Sequence, residues 1–499
     1  MSPQGPQSVR SLDRALAGGL AWAAGAKSAT QFFTWTFTLI TARLLSPADF
    51  GLANMAGMIN FIASSLAEFG MGQAVLQMPE LEAGTVAQLN TVCTAACTVA
   101  YGLLVLAAPL AAMFFKSGQV KALVVVAGLG LIVTGFESVP TGLLEKDLDY
   151  RRLSVAESVT VLVQAVVTVA GAWIGFAYWA LVVGAVAGRV AGAVLKCYWR
   201  PVPFALPRWK QVQAPMSLGA HLTVSRVATL LYAVSDAAIV GRTLGGAALG
   251  AYQMAMSLAQ TPAEKIGLLV MRVAGPLFAR VQEDEELVRR YLRIISEAVS
   301  LSVFPLLIGL AVVGPEALRV LLGTKWSAAA GPIRWLAVFM CARTLSWLFS
   351  QVLVSLRYTR FNMYVSLTSF VVMPVAFIVA SRWGTSAVAA SWVILSPVTV
   401  LPFAAKLLRV VGLRYRDYLG VLTPALAGCA AMTAAVLAVH AWLGYHRMPA
   451  AAGLSIEVAV GGTAYLGFLW IFCRENLNRY IHFVLGLRQG RAALVETGL

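Results

Sequence analysis

The sequence predicts an all-α polytopic membrane protein of about fourteen transmembrane helices. Two parallel six-helix lobes would surround a central cavity, with two extra helices at the C-terminus. Three observations predict this class. The chain of 499 residues is 59% hydrophobic and only 12% charged, with mean hydropathy +0.77, whereas a soluble chain carries roughly 25% charged residues. Apolar runs of about 20 residues, the length that crosses a hydrocarbon core, follow one another along the chain. Finally, residues 27–55 (KSATQFFTWTFTLITARLLSPADFGLANM) align without gaps to 226–254 (RVATLLYAVSDAAIVGRTLGGAALGAYQM).

In chain order, residues 1–16 are a polar arm without a cleavable signal pattern, so the first span is an internal membrane helix. Spans then fall at 17–40, 50–75, 89–114, 120–144, 153–175 and 177–197, the N-terminal lobe. A linker at 198–214 carries Pro201, Pro203 and Pro207, which break any helix. The second lobe, 215–407, holds spans at 215–240, 248–272, 292–314, 327–356, 361–381 and 385–405. Spans at 417–444 and 451–473 form an appendage (408–473) outside the duplication, and 474–499 is a tail. Six spans separate the first from the seventh, so the repeat is parallel, related by an axis along the membrane normal.

The net charge of +16 invites a nucleic-acid reading, but its distribution argues against one. With the N-terminus inside, about 23 Lys and Arg fall on the inner side and about 8 in outer loops. That asymmetry orients the protein with both termini in the cytoplasm and explains the basic loops at 197–210 and 406–416. The stretch 279–293 places Glu283, Asp284, Glu285 and Glu286 ahead of Arg289, Arg290 and Arg293, with acid-to-base spacings of three and four that stabilise a helix. The six cysteines sit mostly in apolar runs without companion His or carboxylates, so they read as small hydrophobes rather than a metal site. The histidines are scattered, no Gly-rich loop with Lys-Ser/Thr occurs, and no loop is long enough to house an enzyme domain. We expect no catalytic residues and no cofactor.

The candidate site residues come from the repeat. Lys27 falls on Arg226, and both lie inside apolar runs. A charge at a helix centre costs roughly 2.5–3.5 kcal/mol on insertion and usually faces a water- or ligand-filled interior. Lys27, Gln31, Thr34 and Thr38 form one stripe of the first span. Arg226, Thr229, Ala233 and Asp236 form one stripe of the seventh. Each stripe lines a cavity or, alternatively, makes a helix–helix hydrogen-bonding seam, with Lys27 snorkelling to the interface. Phe37 corresponds to Asp236, a carboxylate in one half only. It could bind H+ or Na+ for coupling, or neutralise Arg226 or Arg343. Lys265 follows Thr261-Pro262, where the helix should kink or break, and Arg343 lies mid-span. Cations outnumber carboxylates within the spans, which suits an anionic ligand such as a diphosphate or sugar acid.

ARLLSPADFGL (42–52), EFGMGQAVLQ (68–77), LLEKDLDYRRLSVAE (143–157), DAAIVGRTLGGAALGAYQMA (236–255) and TPAEKIGLLVMRVAGPLFARV (261–281) resemble the Wzx-type polysaccharide flippases. These belong to the multidrug/oligosaccharidyl-lipid/polysaccharide superfamily, and the likeness is to its colanic and teichuronic acid exporter branch. The resemblance implies a substrate: an undecaprenyl-diphosphate-linked oligosaccharide flipped across the bacterial inner membrane by alternating access. It also implies partnership with a polysaccharide polymerase and chain-length or export machinery, and no nucleic acid. Lys27 and Arg226 carry over as head-group contacts, followed by Lys265 and Arg343. Three rivals are a drug/cation antiporter of the same superfamily, a lipid II flippase, and a membrane-embedded glycan polymerase or ligase.

Overall fold

The computed structural model describes residues 33–67, 82–208, 232–446 and 449–474, and every regular element among them is helical. The helices are α1 (33–44), α2 (Pro47–Ala67), α3 (Ala83–Phe115), α4 (Gln119–Lys146), α5 (Tyr150–Ile174), α6 (Tyr178–Trp199), α7 (232–244) and α8 (Gly246–Arg280). They continue with α9 (Glu285–Leu321), α10 (Ala330–Ser355), α11 (Thr359–Ala380), α12 (Thr385–Ile394), α13 (Leu401–Val410), α14 (Tyr415–His446) and α15 (Ala450–Phe472). Among the described residues ten helices are long and apolar enough to cross a membrane. The chain is therefore a multi-pass membrane protein. Its outer stripes agree: Leu103, Leu106, Leu110 and Met113 of α3, at i, i+3, i+7 and i+10, are each more than 60% exposed. Such a row would be an aggregation site in water and is ordinary against lipid.

Two spans differ from expectation. The run at 385–405 is broken: α12 ends at Ile394, a single turn covers Ser396–Thr399, and α13 begins at Leu401. Pro397 and Pro402 lack the N–H that would continue the ladder. Conversely, α8 runs unbroken as helix through Thr261-Pro262. The Thr261 hydroxyl donates to the Ser257 carbonyl one turn back, 2.8 Å away.

Contacts divide the chain into two compact units, 1–250 and 251–499. In the first, α5 and α6 pack through a glycine groove. Gly184, Gly188 and Gly192 repeat every four residues on α6, and a Cβ at any of them would overlap Thr168, Gln164 or Thr160 of α5. Small residues at this spacing let membrane helices approach closely. Lys196 of α6 pairs with Glu137 of α4 at 2.8 Å, both largely buried. Residues 201–208 are irregular and tied to α3: the Gln88 and Thr91 side chains accept from the Arg208 and Ala205 amides, and Asn90 donates to the Val202 carbonyl.

The repeat is visible in the same unit. Both copies make a helix, a tight corner and a second helix, with the corner at Leu45–Ser46 in one and Gly245 in the other. Ser46 caps α2: its hydroxyl and amide both bond the Asp49 carboxylate, at 2.6 and 2.9 Å, with Pro47 at the first helical position. The second copy replaces this cap with Gly245, whose φ of +85° a side chain would strain. Arg242, the repeat partner of Arg43, donates to the Phe114 carbonyl at the end of α3 (2.8 Å) and stacks on that ring. The two corners meet. A Cβ on Gly51 would overlap the Gly246 carbonyl, and a Cβ on Gly250 would overlap the Pro47 carbonyl. Positions 47 and 246 are equivalent, as are 51 and 250.

In the second unit α9 is the hub. Tyr418 of α14 donates to Ser296, and Tyr465 of α15 to the Leu301 carbonyl, at 2.9 and 3.0 Å. The two C-terminal helices thus dock on α9. They are also joined to each other by His440 and Glu457, 2.7 Å apart. On the other flank α10 packs against α12, where Trp392 lies between Phe339 and Phe377 and its indole N–H donates to the Tyr252 hydroxyl.

Candidate functional site

Lys27, Gln31 and Arg226 lie outside the described residues. Thr34 and Thr38 are half-buried on α1, and the Thr38 hydroxyl donates to the Thr34 carbonyl at 2.7 Å. Asp236 is 4% exposed and its carboxylate accepts from the amide of Ala237. Its repeat counterpart Phe37 is half-buried. Lys265 is exposed on α8, one residue after Glu264, which is hydrogen-bonded by Gln260.

Arg343 is the best-defined candidate. It lies near the middle of α10, half-buried, with its guanidinium carbon 5.3 Å from the Trp347 ring centroid, 5.8 Å from Trp392 and 6.0 Å from Phe339. Phe339, Arg343 and Trp347 are spaced i, i+4 and i+8, so the helix itself stacks them. Among the described residues Arg343 forms no ion pair with a carboxylate. Cation–π contacts support the planar face of a guanidinium and leave its N–H edge available.

Sequence reasoning passed over two kinds of polar residue. Glu457 is 3% exposed inside the membrane-length helix α15, and its partner His440 is on another helix. Trp347 and Gln351 continue the Arg343 stripe, and a period-of-four reading of the tenth span would have found both.

The match to a protein-family model described as "Polysaccharide biosynthesis protein" covers residues 40–331, more than half of the chain. The chain belongs to the polysaccharide biosynthesis protein family. Relatives agree with the membership. The lipopolysaccharide biosynthesis protein WzxC of Escherichia coli (strain K12) is 24% identical over 76% of this chain and 78% of its own length. The teichuronic acid biosynthesis protein TuaB of Bacillus subtilis (strain 168) is 26% identical over 82% and 85%. Among solved structures, the lipid II flippase MurJ in an inward closed conformation superposes with a TM-score of 0.73 at 13% identity, covering 90% of this chain and 99% of that one. At that identity the likeness concerns the fold. The match begins within the first copy of the repeat (27–55) and takes in all of the second (226–254), so membership is not confined to one half.

Proposed function

We propose that this protein is a flippase for undecaprenyl-diphosphate-linked oligosaccharides, carrying them from the inner to the outer leaflet of the bacterial inner membrane by alternating access. The observation that carries the reading is the family match across residues 40–331, with relatives named for lipopolysaccharide and teichuronic acid biosynthesis. The chemistry agrees with it. A guanidinium inside a span with no carboxylate partner among the described residues suits an anionic or hydroxyl-rich ligand, not a cationic drug. Both termini face the cytoplasm on this reading, by the distribution of Lys and Arg. The polymerase and chain-length machinery would act on the delivered unit.

Outward movement of a diphosphate against an inside-negative potential is favourable by about 2.3 kcal/mol per charge per 100 mV. The empty, cationic carrier must then return. Asp236 supports that step by binding H+ or Na+, so Asp236→Asn should slow export and change its dependence on pH or sodium; unchanged export under all conditions would remove it from the mechanism. Lys27 and Arg226 contact the diphosphate. Lys27→Glu or Arg226→Glu should abolish surface polysaccharide while the protein stays in the membrane. Normal output from both variants would overturn the site assignment.

The fold likeness to MurJ favours one second reading, export of the cell-wall precursor lipid II. Deletion separates them: loss of surface polysaccharide with continued growth supports the proposal, whereas loss of viability and accumulated lipid II supports the alternative.

A further inference from the structure

Arg343 does not stand alone on α10. Continuing its stripe by one-turn steps gives Trp347 and Gln351, and all three are half-buried. None of the three side chains hydrogen-bonds another described residue, and none of their polar atoms is sealed from solvent. Polar side chains inside membrane spans normally pair with one another or with backbone, or border a cavity. An amide and a guanidinium whose N–H groups have no hydrogen-bond partner among the described residues, one helical turn either side of an indole, are therefore placed for a ligand.

The geometry says what kind. Trp347 has the Arg343 guanidinium over its ring, and the edge of its six-membered ring rests 3.6 Å from the Cβ position of Gly267 on α8. Gln351 likewise reaches 3.3 Å from that of Gly275. Gly267 lies three residues after Glu264, on the same face of α8, where the Gln260–Glu264 pair adds an amide and a carboxylate. An indole with a guanidinium and an amide on its own helix, and an amide and a carboxylate within two turns of its contact on α8, matches a sugar ring: C–H groups lie on the indole while hydroxyls both donate and accept. A diphosphate would find Glu264 repulsive; a hydroxyl would use it as an acceptor.

Resting on the flippase reading above, we propose that Trp347, with Arg343 and Gln351, is a sugar-ring subsite that contacts the glycan of the cargo and not its diphosphate. It determines which glycan is carried, whereas Lys27 and Arg226 hold the head group common to all such lipids.

The experiment uses the full chain in nanodiscs and two probes. One is undecaprenyl diphosphate. The other is the undecaprenyl-linked oligosaccharide extracted from cells in which this gene is deleted. Trp347→Ala should weaken binding of the glycosylated lipid by about tenfold, or about 1.4 kcal/mol, and leave undecaprenyl diphosphate binding unchanged. Trp347→Phe, which keeps a ring face, should recover most of the loss, and thermal unfolding should show both variants folded. Equal weakening for the two lipids would overturn the proposal and make Trp347 a packing residue, as would no weakening for either. Wild-type protein binding the two lipids equally well would overturn the subsite and leave the flippase reading standing. Wild-type protein binding neither would overturn both.

Discussion

The chain's individual charges divide by whether the protein itself answers them. Lys196 and Glu137 answer each other at 2.8 Å; Arg343 has aromatic faces and, among the described residues, no acid. Glu457 is the instructive intermediate, 4% exposed at its side chain against a His440 that is 54% exposed. Losing the cross-helix hydrogen bond of the buried carboxylate should cost about 1–3 kcal/mol. His440→Ala should therefore lower the unfolding temperature of the purified protein. Glu457→Gln should cost less, and His440→Ala combined with Glu457→Leu should recover most of the loss, because the buried carboxylate is then gone. If the double variant is as unstable as His440→Ala, the pair is not what joins α14 to α15. Such pairings were invisible in the sequence, since residues seventeen positions apart on separate helices share no periodicity. Arg343, by contrast, was legible because a charge within an apolar run needs a reason. Its aromatic supports were not, because Trp and Phe within a span are also what lipid-facing and core positions select.

Helix by helix, the apolar runs foretold the ten membrane-length helices well, since hydrophobic thickness fixes length. They foretold interruptions poorly. Pro262 sits inside a continuous helix whereas Pro397 and Pro402 flank a break. A single proline with a threonine hydroxyl beside it can be absorbed into a helix; two prolines five residues apart remove successive rungs. Glycine spacing was a better guide to packing than to breaks. Gly51→Ala should perturb the protein strongly, because its Cβ would meet backbone, which cannot rotate away. Gly57→Ala, one and a half turns further along α2 with nothing within 4 Å, should be neutral or stabilising by up to about 1 kcal/mol. Comparing unfolding temperatures and membrane yields of the two variants tests the contact within one helix. Similarly, Gly188→Leu should separate α5 from α6, whereas Gly84→Leu, with open space around it, should not destabilise α3.

At the scale of the molecule, the fold class and membrane character were legible from composition, and the family from motif order, while the site was only half legible: Arg343 stood out as a charge within an apolar run, whereas Trp347 and Gln351 on the same stripe carry no such mark. Removing the C-terminal pair tests their place in the whole. Tyr418 and Tyr465 fix α14 and α15 to α9, so Tyr418→Phe with Tyr465→Phe should loosen that docking and raise protease sensitivity after residue 410, leaving earlier sites protected. The meeting of the two corners has a consequence of another sort. In repeat coordinates, position 47 of one copy touches position 51 of the other, and the reverse holds as well. That is the reciprocity of an isologous interface, the kind formed by two identical subunits about a two-fold axis. Each copy of the repeat thus presents the same surface to the other, so substitutions at the equivalent positions Gly51 and Gly250 should perturb this one contact alike.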